Sequence, residues 1–205
     1  LSALLQAAPC ARRDVTIRVR DELIARPYVD MTIGVMAAFG VAVEREGYRV
    51  FHVRGGQCYR PRAYTIEPDA SGAHYFLAAA ALTGGRVRIE KLGSESIQGD
   101  VRFADLLADM GARVRWEPHS IELVGPECLG GIDADMNALS DTSPTLAVLG
   151  PFARDAVRIR NIAHVRWQES DRLHAVATEL SRLGVRVDEL PDGLVVHPSA
   201  VTPAA

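Results

Sequence analysis

The sequence is poor in lysine, in cysteine and in long apolar runs. Lys91 is the only lysine among 23 basic residues, and arginine supplies the rest. The three cysteines, Cys10, Cys58 and Cys128, are far apart, and no histidine stands at metal-ligand spacing from them. We therefore expect reduced thiols in a cytoplasmic protein and no zinc site. The longest apolar run, residues 76–82, is far shorter than the roughly 20 residues that cross a membrane.

A large excess of one charge is also missing. The chain has 26 acidic and 23 basic residues, a formal net charge of −3, and 48% hydrophobic residues. This balance is typical of a soluble globular protein and argues against a nucleic-acid-binding surface or a disordered tail. The sequence does not begin with methionine, and residues 1–8 lie inside an apolar helical pattern, so we expect a piece of a longer protein.

What the chain does contain is one pattern used three times. The end of a helix is closed by glycine, at Gly40, Gly111 and Gly184. Two alternating strands joined by a turn follow each glycine, and a β-rich segment precedes each helix, at residues 15–19, 86–92 and 156–162. The period of about 70 residues is longer than that of solenoid repeats, and it predicts a repeated α/β subdomain.

The last two copies extend further upstream. Asp69 precedes an alanine-rich helix that ends near Leu82, and Asp141 precedes another that begins near Pro144 and ends near Phe152. We expect each complete copy to run strand, helix, strand, helix, strand, strand. Because the alanine-rich helices are apolar nearly all round, we expect them to be buried side by side.

The first copy is incomplete and keeps only a helical remnant at residues 1–8. Residues 54–64 carry paired glycines, a proline and three arginines, which is typical of a linker. We therefore predict two domains, with residues 1–64 as the end of one and residues 65–205 as two subdomains of the other.

The last predicted helix has charged residues at its entrance. Its apolar stripe runs from Leu173 to Leu183, with Ser170 predicted as the N-cap and Gly184 as the end. Glu169 and Arg172 stand where free backbone N–H groups favour an anion. An ordinary solvated helix end is the alternative interpretation.

Four segments, in collinear order, resemble the 5-enolpyruvylshikimate-3-phosphate synthase family. They are IARPYVDMT at 24–32, YTIEPDASGAHYFLAAAAL with IQGDVRFADLL within 57–107, DMNALSDTSPTLAVL at 135–149 and RNIAHVRWQESDRLHAVATEL at 160–180. The resemblance implies an α+β fold of repeated βαβαββ subdomains around buried parallel helices, an inverse α/β barrel that is incomplete in this chain. It also implies transfer of the enolpyruvyl group of phosphoenolpyruvate to the 5-hydroxyl of shikimate 3-phosphate, in aromatic amino-acid biosynthesis, without a metal or organic cofactor.

The resemblance assigns roles to individual residues. Asp141 matches the aspartate that binds the shikimate hydroxyls and accepts the proton of the 5-hydroxyl, and Glu169 matches a glutamate of proton transfer at the methylene carbon. Arg172 matches an arginine that binds phosphoenolpyruvate, to which a planar guanidinium is suited. Tyr28 matches a tyrosine of the shikimate 3-phosphate site. Without the family match, Asp141 could equally be a helix-start residue and Tyr28 a core residue.

Some positions depart from the family pattern. His164 stands where many members have asparagine, and Gln168 replaces a common lysine, so both are expected to contact substrate with altered strength. Ala25 replaces a phosphate-binding serine. The family's N-terminal lysine and arginine, its glycine-rich loop and its C-terminal arginine and lysine have no counterpart in these residues.

Two alternatives remain open. A non-catalytic binding or assembly fragment with the same fold would account for Gln168 and for the missing charges. A related enolpyruvyl transferase that acts on a UDP-sugar shares the fold, but the aspartate segment and the E-S-D-R-L phrase at 169–173 fit the shikimate enzyme better. The expected partners are the two substrates and the remainder of the same enzyme chain, with neither nucleic acid nor membrane.

Overall fold

A computed structural model describes residues 1–202, which form two compact units. The first unit is Leu1–Ile66 with Ile97–Gly99, and the second is Glu67–Ser96 with the residues from Asp100 onward. The assignment of residues 1–64 and 65–205 to two domains of a larger protein stays a prediction. Within the described residues, no helix is both long enough and apolar enough to span a membrane.

The first unit is a small three-stranded sheet with two helices. Its elements are α1 (Ser2–Ala7), β1 (Val15–Arg18), α2 (Arg26–Ala38), β2 (Glu44–Glu46) and β3 (Val50–Val53). Strand β3 lies between β1 and β2 and is antiparallel to both. Leu5, Met36 and Phe51 are almost fully buried and join both helices to the sheet. The predicted helical remnant at the start of the chain is confirmed.

The second unit begins with a shortened copy of the repeat. It consists of α3 (Ala70–Thr83), β4 (Arg86–Glu90), α4 (Phe103–Asp109), β5 (Arg113–Glu117) and β6 (Ser120–Val124), with β6 between β4 and β5. The strand predicted before α3 is wrong, because residues 57–69 have no regular secondary structure. Pro68 has no N–H to donate to a sheet, and Ile66 is 83% exposed, so the residues just before α3 lack one donor and the cover of a buried strand.

The final copy has the complete predicted order. It runs β7 (Ile132–Asp135), α5 (Ser143–Leu149), β8 (Val157–Arg160), α6 (Arg172–Arg182), β9 (Val187–Leu190) and β10 (Gly193–Val196). The sheet order is β7-β8-β10-β9, in which β7 is parallel to β8 and the other pairs are antiparallel. In all three copies the predicted closing glycine has a positive φ, between 80° and 106°, which a residue with a side chain rarely adopts.

The alanine-rich helices α3 and α5 pack against each other, as predicted, but α3 is not buried all round. His74, Leu77 and Ala81 face the core, whereas Tyr75 is 62% exposed and Phe76 is 65% exposed. The elements of its own unit cover one face of α3 and leave the opposite apolar face open. The composition of α3 therefore indicates a helix made to be covered on both faces.

Candidate active site

The entrance of α6 is fixed by Asp171. Its Oδ1 accepts a hydrogen bond from the backbone N–H of His174 at 3.0 Å, so Asp171 is the N-cap and the predicted cap, Ser170, is wrong. Arg166 Nη1 holds the same carboxylate at 2.8 and 3.0 Å. The hydrogen bond from His174, followed by those from Arg166, keeps the pKa of Asp171 below its ordinary value. The helix thus begins one residue later than the sequence predicts.

Arg172, the first residue of α6, joins two acidic side chains. Its Nε and Nη2 donate to Glu169 Oε1 at 2.8 and 2.5 Å, and its Nη1 donates to Asp141 Oδ1 at 2.9 Å. We call these three side chains the acid–arginine cluster. The structure therefore brings together both residues predicted as catalytic and the arginine predicted to bind phosphoenolpyruvate. Their catalytic and binding roles stay predictions.

Asp141 is positioned by a helical turn that precedes α5. The turn spans Asn137–Thr142, and within it Thr142 Oγ1 donates to the carbonyl of Leu139 at 2.9 Å. Ser143 Oγ donates to the carbonyl of Ser140 at 2.6 Å, and both hydroxyls are buried. Thr142, rather than Asp141, is the N-cap of α5, and the Asp141 side chain is paired with Arg172.

The cluster carries two carboxylates for one guanidinium. Burial works against the charged form of Arg172, but the hydrogen bonds that Arg172 donates to Glu169 and Asp141 outweigh it, so the pKa of Arg172 is raised. The pKa of Glu169 is lowered, first by its own backbone N–H and then by Arg172. Both groups are therefore ionised at neutral pH. Among residues 1–202, no three His, Cys, Asp or Glu side chains are grouped so that they could hold a metal ion.

His164 lies beside Asp141 in a short helical turn, Ala163–Trp167, between β8 and α6. Its Nε2 is buried and has no hydrogen-bond partner among the described residues. Burial lowers the pKa of His164, and the nearby charge of Asp141 only partly opposes that effect. His164 is therefore neutral at pH 7. Gln168 is exposed at the end of the same turn, next to Trp167, which is 87% exposed.

Tyr28 belongs to the first unit, whereas the other five predicted site residues belong to the second. It lies in the first turn of α2 and is half-buried, and its backbone carbonyl accepts a hydrogen bond from Thr32 Oγ1 at 2.7 Å. Ala25, the N-cap of α2, has a φ of 52°, an unusual conformation for a residue with a Cβ.

Two supporting residues were not found from the sequence. Asn161 has a φ of 65° directly after β8, its backbone N–H donates to Asp192, and its side-chain amide donates to both oxygens of Asp135. Arg166 donates to the carbonyls of Leu190 and Pro191 in addition to Asp171. An asparagine at the end of a strand was the available signal, because asparagine tolerates left-handed conformations. Together these contacts hold the turn that carries His164 and Gln168.

Comparison with known proteins gives a match along the whole chain. The model of the EPSP synthase (3-phosphoshikimate 1-carboxyvinyltransferase) family matches residues 1–205. A 3-phosphoshikimate 1-carboxyvinyltransferase of a Nostoc species is 50% identical over 205 residues, and one of Yersinia pseudotuberculosis is 48% identical over 206 residues. In both cases the alignment covers all of this chain and 48% of the relative. The chain therefore spans about half the length of the curated relatives it matches.

Solved structures show the same fold. An EPSP synthase from Acinetobacter baumannii matches with a TM-score of 0.75 at 24% identity, covering 95% of this chain and 45% of that one. The enolpyruvyl transferase NikO from Streptomyces tendae matches with a TM-score of 0.69 at 23% identity, covering 93% of this chain and 44% of that one. At these identities the likeness concerns the fold alone, and it confirms the predicted enolpyruvyl transferase-like α+β architecture.

Proposed function

The chain belongs to the EPSP synthase family, and from this membership we propose that it acts as part of a 3-phosphoshikimate 1-carboxyvinyltransferase. The proposed reaction transfers the enolpyruvyl group of phosphoenolpyruvate to the 5-hydroxyl of shikimate 3-phosphate and releases phosphate. The observation that carries the proposal is the acid–arginine cluster, which gathers Asp141, Glu169 and Arg172 at one helix entrance. This chain matches about half of each relative. We use the term intact enzyme for a protein that contains this chain together with the part that the chain does not match.

Each member of the cluster has a chemical task in this reaction. Asp141 accepts the proton of the 5-hydroxyl, which then forms the new C–O bond to phosphoenolpyruvate. Glu169 donates a proton to the methylene carbon of phosphoenolpyruvate and later accepts one from it. The second transfer restores the enol ether as phosphate leaves. Arg172 binds the carboxylate or phosphate of phosphoenolpyruvate. His164 and Gln168 contact shikimate 3-phosphate, and the same role for Tyr28 rests on the family match alone.

The remainder of the enzyme is also the proposed partner of the apolar face. Tyr75 and Phe76 of α3, Val148 of α5 and Phe152, three residues after the end of α5, are each at least 46% exposed, and α3 packs against α5. Large apolar side chains exposed on neighbouring elements are typical of a site that another segment covers. We propose that a further copy of the repeat covers it, in a cytoplasmic enzyme that binds neither nucleic acid nor membrane.

A non-catalytic binding or assembly role is the second candidate. It is favoured by Gln168, which removes a positive charge, and by a cluster in which carboxylates outnumber the guanidinium. This arrangement resists an anionic substrate unless other cations are supplied. A transferase acting on a UDP-sugar is the weaker enzymatic alternative.

An activity assay on two preparations separates the candidates. The intact enzyme and the 205-residue chain are each mixed with phosphoenolpyruvate and shikimate 3-phosphate, and phosphate release is measured. We expect turnover from the intact enzyme and none from the chain alone. Absence of turnover from the intact enzyme, with both substrates bound, would favour the non-catalytic role.

A further inference from the structure

The N–H groups of the Arg172 guanidinium that suit an anionic ligand are already hydrogen-bonded to acidic side chains. Its Nε and Nη2 form the edge with two parallel N–H donors, and both donate to Glu169 Oε1, at 2.8 and 2.5 Å. Nη1 is engaged by Asp141 at 2.9 Å. A carboxylate or phosphate that uses the Nε–Nη2 edge in a bidentate manner therefore competes with Glu169 for the same two donors.

Glu169 is the acid that is more easily displaced. Its side chain is 66% exposed and follows the exposed residues Trp167 and Gln168, outside both the helical turn and α6. Asp141 is 38% exposed and lies in a turn held by the buried hydroxyls of Thr142 and Ser143. A rotation of the Glu169 side chain away from Arg172 frees the edge, whereas moving Asp141 would disturb a packed turn.

We propose that Glu169 is a displaceable occupant of Arg172, that the carboxylate or phosphate of phosphoenolpyruvate takes its place on Nε and Nη2, and that the released Glu169 carboxylate then takes up a proton from water. The inference rests on the proposed function and assigns an order of events to the same site. Binding of the anion would precede protonation of Glu169. Glu169 would therefore become a proton donor for the methylene carbon only after the substrate has bound.

The charges around Glu169 favour its protonation once the contact with Arg172 is lost. The contact with Arg172 is one of the two main causes of the lowered pKa of Glu169, so its loss raises that pKa. Arg166, the next basic residue along the chain, is paired with Asp171 and Glu189 and so does not replace Arg172. The carboxylate of Asp141 is held on the same guanidinium, and the bound anion adds further negative charge. Both negative charges favour a protonated Glu169.

The same helix provides a matched control. Glu179 and Arg182 form an ion pair with the same spacing of three residues, a separation of 2.6 Å and exposed fractions of 65% and 66%. Glu179→Gln therefore removes an equivalent carboxylate from α6 at a distance from the cluster. Both variants change an exposed side chain, and circular dichroism verifies that each is folded.

Titration calorimetry on the intact enzyme tests the proposal. Phosphoenolpyruvate is titrated near pH 6 in buffers of different ionisation enthalpy, with inorganic phosphate as a second probe. Because the phosphate of phosphoenolpyruvate itself titrates near pH 6, proton uptake is compared between the proteins. We expect the wild type and Glu179→Gln to take up more protons per bound ligand than Glu169→Gln. Because the competitor is weakened, Glu169→Gln should also bind inorganic phosphate roughly two- to fivefold more tightly.

Two results would overturn the inference. One is the same proton uptake on binding of phosphoenolpyruvate by the wild type and by Glu169→Gln. The other is phosphate binding by Glu169→Gln that is no tighter than that of the wild type. An intact enzyme that shows the expected linkage but no phosphate release with shikimate 3-phosphate would instead remove the proposed function and leave the displacement standing.

Discussion

Asp141 Oδ1 and Arg172 Nη1 are 2.9 Å apart, although 31 positions separate the two residues in the sequence. The contact ties the turn before α5 to the first residue of α6, and it places a carboxylate within reach of whatever Arg172 binds. In the proposed reaction, this geometry puts the acceptor of the hydroxyl proton beside the enolpyruvyl donor. Proximity of this kind is the main contribution that a rigid scaffold makes to a two-substrate reaction.

Replacement of Asp141 by asparagine tests the proposed base. The amide keeps a hydrogen-bond acceptor but cannot take a proton, so we expect kcat to fall by about 10²- to 10⁴-fold while much of the affinity for shikimate 3-phosphate remains. Steady-state kinetics and calorimetry on the intact enzyme measure the two effects. Near-normal turnover would eliminate Asp141 as the base and favour the non-catalytic role.

Replacement of Arg172 by alanine tests the anion contact. Loss of one charged hydrogen bond costs about 1.5–3 kcal/mol, so the Kd for phosphoenolpyruvate should rise roughly 10- to 150-fold, with a smaller effect on shikimate 3-phosphate. Arg182→Ala, which breaks an exposed pair at the other end of α6, is the control and should leave both affinities unchanged. Equal weakening of both substrates would indicate a general disruption of the site.

His74 should make the stability of the chain depend on pH. It is 2% exposed, its Nε2 lies 2.8 Å from Thr145 Oγ1 across the α3–α5 contact, and its Nδ1 is buried without a partner among the described residues. Burial lowers its pKa below 6.5, with Asp100, Ser71 and Asp69 opposing. The folded chain thus disfavours the protonated form, so this contribution to stability is complete above pH 6.5 and is lost as pH falls through the folded pKa.

Urea unfolding between pH 5 and pH 8 measures that dependence. We expect the free energy of unfolding of the wild type to rise with pH from 5 to about 6.5, and the rise to be smaller in His74→Leu. His119→Asn is the control, because the His119 side chain is 79% exposed. The prediction is wrong if the unfolding free energy of His74→Leu depends on pH as steeply as that of the wild type and of His119→Asn.

Phe76 tests the role of the open face of α3. Since it is 65% exposed, Phe76→Ser should change the unfolding free energy of the isolated chain by no more than about 0.5 kcal/mol. Association with a separately produced remainder of the enzyme should weaken by about 1.5–3 kcal/mol, the value of burying a large apolar side chain. Ile24→Ser, on the first unit and 43% exposed, is the control for any exposed apolar residue.

The repeat could be predicted from the sequence because each of its signals lies within a few residues of the helix or strand that it marks. Each closing glycine lies one or two residues after a helix and has the predicted positive φ, and the paired strands follow it in every copy. Glu169 and Arg172 are three positions apart at a helix start, so their contact also follows from local geometry. These features need no knowledge of distant parts of the chain.

The remaining features depend on distant partners. Ser170 and Asp171 are both good N-caps, and the choice between them is made by Arg166, which is itself anchored on the 190–191 turn. The strand expected before α3 does not form, and residues 57–69 have no regular secondary structure. A strand forms only where another strand pairs with it, which the sequence of the segment itself does not show. The contact between Asp141 and Arg172 is of the same long-range kind, and only the family resemblance suggested it.

The 87% exposure of Trp167 gives the site an optical signal of its own. The chain has two tryptophans, and the other, Trp116, is half-buried with its Nε1 donating to Asp105 at 3.1 Å and Arg102 over its ring. Emission at long wavelength therefore arises mainly from an indole two residues before Glu169, in full contact with water. A change in the conformation of residues 167–169, such as the displacement of Glu169, is expected to change that emission without any added label.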